Sequence, residues 1–269
     1  MDKPTICRIF DTIAPDYDHS PGQRHFSQSA RHMVEKMLLM GNEHVLDIAT
    51  GTGQVALRVA EQLPTGYVTG IDLSEEMLKR AQAKADEKGL KNVTFRRMDI
   101  DAMDFAENHF DGVSCGFGMF FLPDMVSALR RIVRILKPGG WFMMTSFAED
   151  SFLPLGEIAV RRLRGQYGVE TPEMVKTRLD TTEKVLSLLE LADFDRPEVE
   201  TVSMGYYLSG PEEWLRLMWL SGFRGMLEQL PEDQLDNFNK EHAEELVSCQ
   251  TEDGLWININ VLLSKGHKL

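Results

Sequence analysis

Residues 45–56 read VLDIATGTGQVA, which is a short apolar strand, a glycine-rich turn and the start of a helix. Gly51, Gly53 and Ala56 stand at the spacing G-x-G-x-x-A directly after the strand, which is the context that a nucleotide-binding turn requires. Glycine lets the backbone turn sharply and approach a ligand because it has no Cβ. By itself this turn fits a dinucleotide site as well as other adenosine sites.

Asp47 favours a cationic ligand over an anionic one. It lies four positions before Gly51, near the end of the strand. A pyrophosphate beside it would bring two negative charges to about 4 Å, which costs about 1–4 kcal/mol depending on the dielectric. S-adenosylmethionine (SAM) instead brings an ammonium and a sulfonium, which a carboxylate attracts directly or through water. The alternative is a structural role for Asp47 as a cap of the following turn.

Two further acids follow the next two predicted strands. Asp72 stands nineteen residues after Gly53, close to the spacing of about 20 at which a carboxylate accepts hydrogen bonds from an adenosine ribose. NAD and SAM sites share this feature, so Asp72 does not choose between the cofactors. Asp99 and Ile100 end the third strand, where they could bind the adenine amino group and a ring nitrogen. The alternative for Asp99 is a solvated loop acid.

Short apolar strands alternate with helices around the glycine turn, which predicts a doubly wound, Rossmann-like α/β fold with a mostly parallel sheet. We expect strands over residues 44–49, 67–72, 93–98, 110–117, 141–147, 198–208 and 255–264. We expect helices over residues 23–40, 54–62, 74–88, 124–136, 155–167, 181–191 and 211–248. Right-handed crossovers would bring the carboxyl ends of the parallel strands to one edge, where ligands bind in such folds.

The composition argues against several classes of function. The 269 residues carry 29 Lys and Arg against 42 Asp and Glu, a net charge of −13, which disfavours a general nucleic-acid binder and docking on anionic membranes. Cys7, Cys115 and Cys249 are too widely separated for a disulfide framework or a zinc pair, and we expect no metal site. We find neither a signal-peptide stretch nor an apolar run of about 18 residues and expect a cytoplasmic protein.

Five blocks of sequence together resemble the class I SAM-dependent methyltransferases, in that family's order and at its spacing. The blocks are residues 45–56, 70–77, 99–100, 110–118 and 136–140. Within that class, IFDTIAPDYD at residues 9–18 and Phe117-Gly118-Met119 resemble the ubiquinone/menaquinone-biosynthesis type. The chain departs from that type at Gly116, where a polar residue is usual, and at Phe120-Phe121, which replace Arg-Asn. These departures argue against a quinone acceptor, but they do not argue against methyl transfer.

The resemblance implies SAM as cofactor and a seven-stranded sheet whose last strand is antiparallel, with helical lid insertions. It implies an amino-terminal cap segment over residues 1–40, a SAM-binding core over 41–147, and the remainder of the sheet over 148–269 with a substrate lid at about 211–248. It also implies a set of cofactor-binding residues: Tyr17, Asp47, Ala49, Gly51, Thr52, Gly53, Asp72, Leu73, Met77, Asp99, Ile100 and Gly116.

Methyl transfer from a sulfonium is an in-line displacement, so the protein mainly has to align the reactants and exclude water. A base is needed only if the acceptor must lose a proton first. Tyr17, His19 and His25 are the candidates, since they lie in the segment expected near the methyl group, with exposed surface histidines as the alternative. The acceptor is expected to be small and fairly apolar, in contact with Phe117, Met119, Phe121, Trp214 and Met218, which could equally be core residues.

Two rival functions remain open at this stage. The first is an NAD-dependent oxidoreductase on a Rossmann fold, against which Asp47 and Asp99 speak. The second is an accessory subunit that binds SAM without catalysis. As partners we expect a small-molecule acceptor, with no nucleic acid and no membrane insertion, and a homodimer is compatible with the sequence.

Overall fold

The computed structural model describes residues 3–18, 24–170 and 175–269, and its centre is a seven-stranded sheet. The strands are β1 (His44–Ile48), β2 (Tyr67–Asp72), β3 (Val93–Arg97), β4 (Phe110–Gly116), β5 (Leu136–Phe147), β6 (Asp195–Ser203), β7 (Tyr206–Leu208), β8 (Gln250–Thr251), β9 (Gly254–Ile257) and β10 (Asn260–His267). The central sheet has the order β3-β2-β1-β4-β5-β10-β6, and β7, β9 and β8 form a separate small sheet.

Strands β1 to β5 run parallel, and β10 lies antiparallel between β5 and β6. The predicted fold class, with its mostly parallel sheet and antiparallel last strand, is therefore confirmed. Because the strand order reverses between β1 and β4, the carboxyl ends of these two neighbours form the crevice where open α/β sheets bind ligands.

Ten α-helices surround the sheets within the described ranges. They are α1 (Lys3–Ile13), α2 (Arg24–Met37), α3 (Gln54–Gln62), α4 (Glu75–Glu87), α5 (Met125–Ile135), α6 (Leu155–Tyr167), α7 (Thr182–Leu191), α8 (Pro211–Trp219), α9 (Arg224–Leu227) and α10 (Glu232–Val247). Side chains fix several starts: Ser74 accepts the Met77 N–H at α4, and Asp124 accepts the Ser127 N–H at α5. None of the described helices is long and apolar enough to span a bilayer.

The carboxyl-terminal half differs from the sequence prediction in three places. The expected strand over residues 198–208 divides into β6 and β7, and the one over 255–264 divides into β9 and β10, with the two parts of each in different sheets. At the first break two segments of the chain pass so closely that a Cβ on Gly205 would lie 2.4 Å from the Trp256 ring. The expected helix over 211–248 is three helices, α8 to α10, with a glycine-containing turn before α9 and Pro231 before α10.

Helix α1 was absent from the sequence prediction. Its apolar residues recur at helical spacing as Ile6, Ile9, Phe10 and Ile13, a pattern that could have revealed it. The helix lies beside α4, where the Ser74 hydroxyl donates to Asp11 at 2.6 Å. This contact places α1 over the edge of the sheet where β1 and β2 end.

Candidate active site

One cavity of about 540 Å³ opens at the carboxyl edge of the parallel strands. One part of it, which we call the cofactor end, is lined by Ala49, Gly51, Asp72 and Ile100, at the ends of β1, β2 and β3. The other part, which we call the acceptor end, is lined by aromatic residues: Phe26, Phe117, Phe147, Phe152, Trp219 and Phe223. A single space therefore joins two chemically different walls.

The turns after β1 and β4 come very close together at this edge. Ala49 and Phe117 both have a positive φ, of 52° and 55°, which is uncommon for residues other than glycine. Gly118 packs against the first turn so tightly that a Cβ there would lie 2.6 Å from the Ala49 Cβ. Such backbone strain is often concentrated at ligand sites, where the surrounding structure holds it in place.

Asp47 lies beneath the glycine turn. Its carboxylate is 1% exposed and accepts hydrogen bonds from the Thr50 hydroxyl at 2.6 Å and the Ser114 hydroxyl at 2.7 Å. Burial raises the pKa of Asp47 to about 6, against the lowering effect of these bonds. Both carboxylate oxygens thus have hydrogen-bond partners within the protein, and the residue also borders the space behind the turn.

Asp72 faces the cofactor end of the cavity. Its carboxylate accepts the Gly51 N–H at 2.8 Å and the Ser74 N–H at 2.9 Å, so it ties the glycine turn to the start of α4. Burial raises the pKa of Asp72 even though these backbone bonds favour the charged form. The carboxylate is held rigidly beside the turn, where the sequence analysis expects a ribose.

Asp99 is covered by helix α1. The Lys3 ammonium lies 2.7 Å from Asp99 and 2.6 Å from Asp101, and Lys3 itself lines the cavity beside Ile100. Burial alone would raise the pKa of Asp99, but the hydrogen bonds from Lys3 and from the Asp101 backbone lower it. The pairing with Lys3 links the amino-terminal helix to the end of the third strand, and no local sequence pattern predicts it because the partners are 96 residues apart.

Thr52 points towards the amino-terminal segment. Its hydroxyl donates to Asp18 at 2.8 Å, and Asp18 also pairs with Lys84 at 2.7 Å. The neighbouring Tyr17 stacks on Phe26 with ring centroids 5.6 Å apart, and burial raises its pKa. Tyr17 therefore lies where the two ends of the cavity meet.

A second cavity of about 60 Å³ lies behind the glycine turn, at the start of α3. Asp47, Thr52, Gly116 and Thr145 line it together with Tyr17. Thr145 is 2% exposed, and its hydroxyl has no hydrogen-bond partner among the described residues. Buried hydroxyls are usually paired, so Thr145 lacks a partner that a ligand or a water could supply.

The structure places the expected cofactor-binding residues in four different positions. The main cavity is lined by Tyr17, Ala49, Gly51, Asp72, Leu73, Met77, Ile100 and Gly116. Asp47 and Thr52 reach only the small cavity, and Asp99 lies on an open groove beside α1. Gly53 supports the turn from behind, since a Cβ there would lie 3.2 Å from Ala81 and its φ is 81°.

The acceptor end is a cluster of rings drawn from several elements. The ring centroids of Phe26 and Phe117 are 5.1 Å apart, and those of Phe117 and Phe147 are 4.5 Å apart. The ring centroids of Phe147 and Phe152 are 5.0 Å apart. Of the residues expected to contact the acceptor, Phe117 and Phe121 line the cavity. The other three, Met119, Trp214 and Met218, are fully buried in the core and do not line it.

His25 is buried at the acceptor end. Its Nδ1 lies 3.1 Å from the Tyr206 hydroxyl oxygen, and burial lowers the pKa of His25 to about 3. The imidazole is therefore neutral near pH 7 and acts as a hydrogen-bonding group more than as a strong base. Tyr17, the second expected base, lines the cavity with its hydroxyl held protonated because burial raises its pKa, and His19 lies outside the described residues.

Comparison with known proteins identifies the relatives of this chain. The family described as "Methyltransferase domain" matches residues 45–140. The chain is 37% identical over 161 residues to the ubiquinone/menaquinone biosynthesis C-methyltransferase UbiE of Bdellovibrio bacteriovorus, covering 58% of this chain and 67% of that protein. It is 37% identical over 139 residues to the demethylmenaquinone methyltransferase of Listeria welshimeri, covering 50% of this chain and 59% of that protein.

Among solved structures, the chain is similar to phosphoethanolamine N-methyltransferase 2 of Haemonchus contortus in complex with S-adenosylhomocysteine. The TM-score is 0.56 at 21% identity, over 90% of this chain and 52% of that chain, so this likeness shows the fold alone. The family match and the sequence relatives confirm the predicted enzyme class and its cofactor, SAM.

Proposed function

Because the chain belongs to the UbiE-like class I SAM-dependent methyltransferases, we propose that it moves the methyl group of SAM to a small, apolar ring compound. The acceptor would bind at the acceptor end of the main cavity. The observation that carries this proposal is the continuity of the cavity, which joins the glycine turn and Asp72 to a wall of aromatic rings.

The residues at the cofactor end fit SAM. Asp72 offers a fixed carboxylate for ribose hydroxyls, and the backbone around Ile100 borders the space for an adenine. The start of α3 and the unpaired Thr145 hydroxyl border the smaller cavity, where an amino-acid carboxylate and ammonium would find partners. The buried Asp47 adds negative charge beneath the turn, which favours a cationic ligand.

SAM supplies an electrophilic methyl group, and the chain's own residues would align the two reactants and exclude water. Tyr17 and Phe26 line the cavity where its two ends meet, and their stacked rings would limit access of water to that region. The rings of Phe117 and Phe147 offer flat apolar faces that would orient a planar acceptor. Orientation of this kind accounts for much of the rate when the displacement needs no metal or covalent intermediate.

The acceptor class follows from the lining of the acceptor end. The relatives are named for ubiquinone, menaquinone and demethylmenaquinone, and an apolar ring acceptor agrees with those names. Acidic side chains are absent from the described lining at this end, which disfavours a strongly cationic acceptor. As part of the same proposal, the enzyme acts in the cytoplasm on small molecules, and its net charge of −13 argues against nucleic-acid substrates.

A transfer assay tests the proposal. We would incubate the protein with methyl-labelled SAM and a panel of apolar ring compounds matched to polar compounds of equal size, and follow label and S-adenosylhomocysteine. We expect label in ring compounds and none in the polar set, with loss of transfer in Asp72→Ala. Label confined to polar compounds, or no binding of SAM, would contradict it.

A further inference from the structure

The acceptor end contains a buried nitrogen whose hydrogen bonding is incomplete. His25 lines the main cavity and is 2% exposed. Its Nδ1 is paired with Tyr206, but its Nε2 has no hydrogen-bond partner among the described residues. Other buried unpaired atoms of the described chain belong to residues outside the main cavity, including Thr145 and His242. Buried polar atoms are usually paired, so His25 lacks a partner that the protein does not provide.

The surroundings of His25 explain why the protein provides none. Its ring centroid lies 4.2 Å from that of Phe26, 5.7 Å from that of Phe147 and 6.3 Å from that of Phe152. These rings offer no conventional hydrogen-bonding group. Nε2 is itself buried, so a ligand would reach it by displacing neighbouring side chains.

Two other polar side chains at the acceptor end, Ser221 and Arg224, already have hydrogen-bond partners. The Ser221 hydroxyl donates to the Met218 carbonyl at 3.1 Å. The Arg224 guanidinium donates to Glu228 at 2.7 Å. His25 Nε2 differs from these two groups because it is buried and has no hydrogen-bond partner among the described residues, so it can accept one from an incoming ligand.

The Tyr206 contact fixes the orientation of the imidazole. Tyr206 is 8% exposed and stacks parallel to His25 with an interplanar angle of 17°, while the Arg24 guanidinium lies 4.3 Å above the Tyr206 ring. With Nδ1 tied to Tyr206, Nε2 is either a donor or an acceptor, depending on which nitrogen carries the proton. A hydroxyl pairs with both forms because it donates and accepts, whereas a carbonyl pairs with only one.

We propose that His25 and Tyr206 form a positioning pair for the ring acceptor, in which His25 Nε2 hydrogen-bonds to a hydroxyl of the acceptor and holds its ring against the aromatic wall. This inference rests on the proposed function, because it names the polar group of the same apolar acceptor. His25 is a positioning residue here, and it neither receives the methyl group nor needs to take up a proton. The ring body supplies affinity, and the hydroxyl fixes which edge of the ring faces the cofactor end.

The test compares two probes of nearly equal shape, 2-naphthol and 2-methylnaphthalene. Their dissociation constants are measured by ligand-observed NMR on the full chain, saturated with S-adenosylhomocysteine. We expect His25→Phe to weaken 2-naphthol relative to 2-methylnaphthalene by about tenfold, the size of one buried hydrogen bond. His25→Gln keeps a polar atom near the Nε2 position and should restore most of the ratio, and Phe152→Leu should change both probes alike.

A second measurement requires no variant. The ¹⁵N chemical shift of His25 Nε2 in the labelled natural protein should move on addition of 2-naphthol and stay fixed with 2-methylnaphthalene. A probe ratio that is the same in the natural protein and in His25→Phe would overturn the inference. So would an Nε2 shift that does not respond to 2-naphthol, or binding of neither probe.

The outcome is separable from that of the proposed function. Failure of the proposed function would appear as no binding of S-adenosylhomocysteine or no methyl transfer, and the naphthol ratio is therefore also measured on the chain without added S-adenosylhomocysteine. A protein that transfers methyl groups to ring compounds but shows no change of probe ratio in His25→Phe would keep the proposed function and lose the inference.

Discussion

The two ends of the main cavity are built in different ways. The cofactor end comes from successive strand ends of one regular sheet and is held by hydrogen bonds, such as those that tie Asp72 to the backbone of Gly51 and Ser74. The acceptor end comes from α2, the ends of β4 and β5, and the turn before α9, and it is held by packing of rings. A short motif can specify the first end, whereas the second depends on how distant segments pack.

Replacing Trp214 tests whether packing alone holds the acceptor end. Trp214 is fully buried, donates its indole N–H to His242 Nε2 at 2.9 Å, and lies 5.5 Å from the ring of Phe223 in the cavity wall. We expect Trp214→Ala to lower the free energy of unfolding by about 3–5 kcal/mol in urea titrations, because it leaves a large cavity and an unpaired histidine. Trp256, which is 39% exposed, provides the matched control, and Trp256→Ala should lower the free energy of unfolding far less. Equal losses would show that burial does not distinguish the two positions.

Replacing Asp72 tests the hydrogen-bonded end. We expect Asp72→Ala to weaken SAM binding by about 1–3 kcal/mol in calorimetric titrations, since a charge-assisted bond to the ribose is lost. Asp86, an exposed residue of α4, provides the control as Asp86→Ala and should leave the dissociation constant unchanged. A dissociation constant that Asp72→Ala leaves unaltered would remove this residue from the cofactor site.

Two buried groups, His25 at the acceptor end and Asp47 beneath the glycine turn, should affect stability in opposite directions as the pH falls. The pKa of His25 falls from 6.5 to about 3 on burial, so the unfolded chain alone takes up this proton between those values and stability is lost as the pH falls below 6.5. The pKa of Asp47 rises from 3.8 to about 6, so the native protein alone takes up that proton and stability is gained as the pH falls from 6 to 4.

Each of these groups should change the slope of stability against pH by about 1 kcal/mol per pH unit within its window. We expect urea titrations between pH 6 and pH 4 to show a shallower loss of stability in His25→Gln and a steeper loss in Asp47→Asn. Slopes that shift in the same direction in both variants would be inconsistent with the assigned environments.

The smallest expected effect concerns Thr145 in the small cavity. We expect Thr145→Val to weaken the binding of S-adenosylhomocysteine by about 1 kcal/mol, the size of one hydrogen bond. The binding of 5′-methylthioadenosine, which lacks the amino-acid part, should be unaffected. Thr94→Val on the exposed face of β3 is the control. Equal weakening of both ligands would place the effect of Thr145 on the fold rather than on the amino-acid part of the cofactor.

The sequence alone determined the fold class, the enzyme class and the cofactor. The glycine turn, Asp47, Asp72 and the Asp99 block lie at or near the ends of strands, and short-range rules of turn and strand geometry place those ends at one edge of a sheet. Local pattern also located most helices of the first half, because their apolar residues recur along one continuous segment.

Only the tertiary structure decided what the acceptor end is made of. The pairing of His25 with Tyr206 joins residues 181 positions apart, and that of Lys3 with Asp99 joins residues 96 positions apart, so no local pattern announces either one. The tertiary structure also distinguishes Phe117, which faces the cavity, from Met119 and Trp214, which are equally apolar but lie in the core. Apolar burial has no direction of its own, so which rings face a ligand and which face the core is settled only when the distant segments pack together.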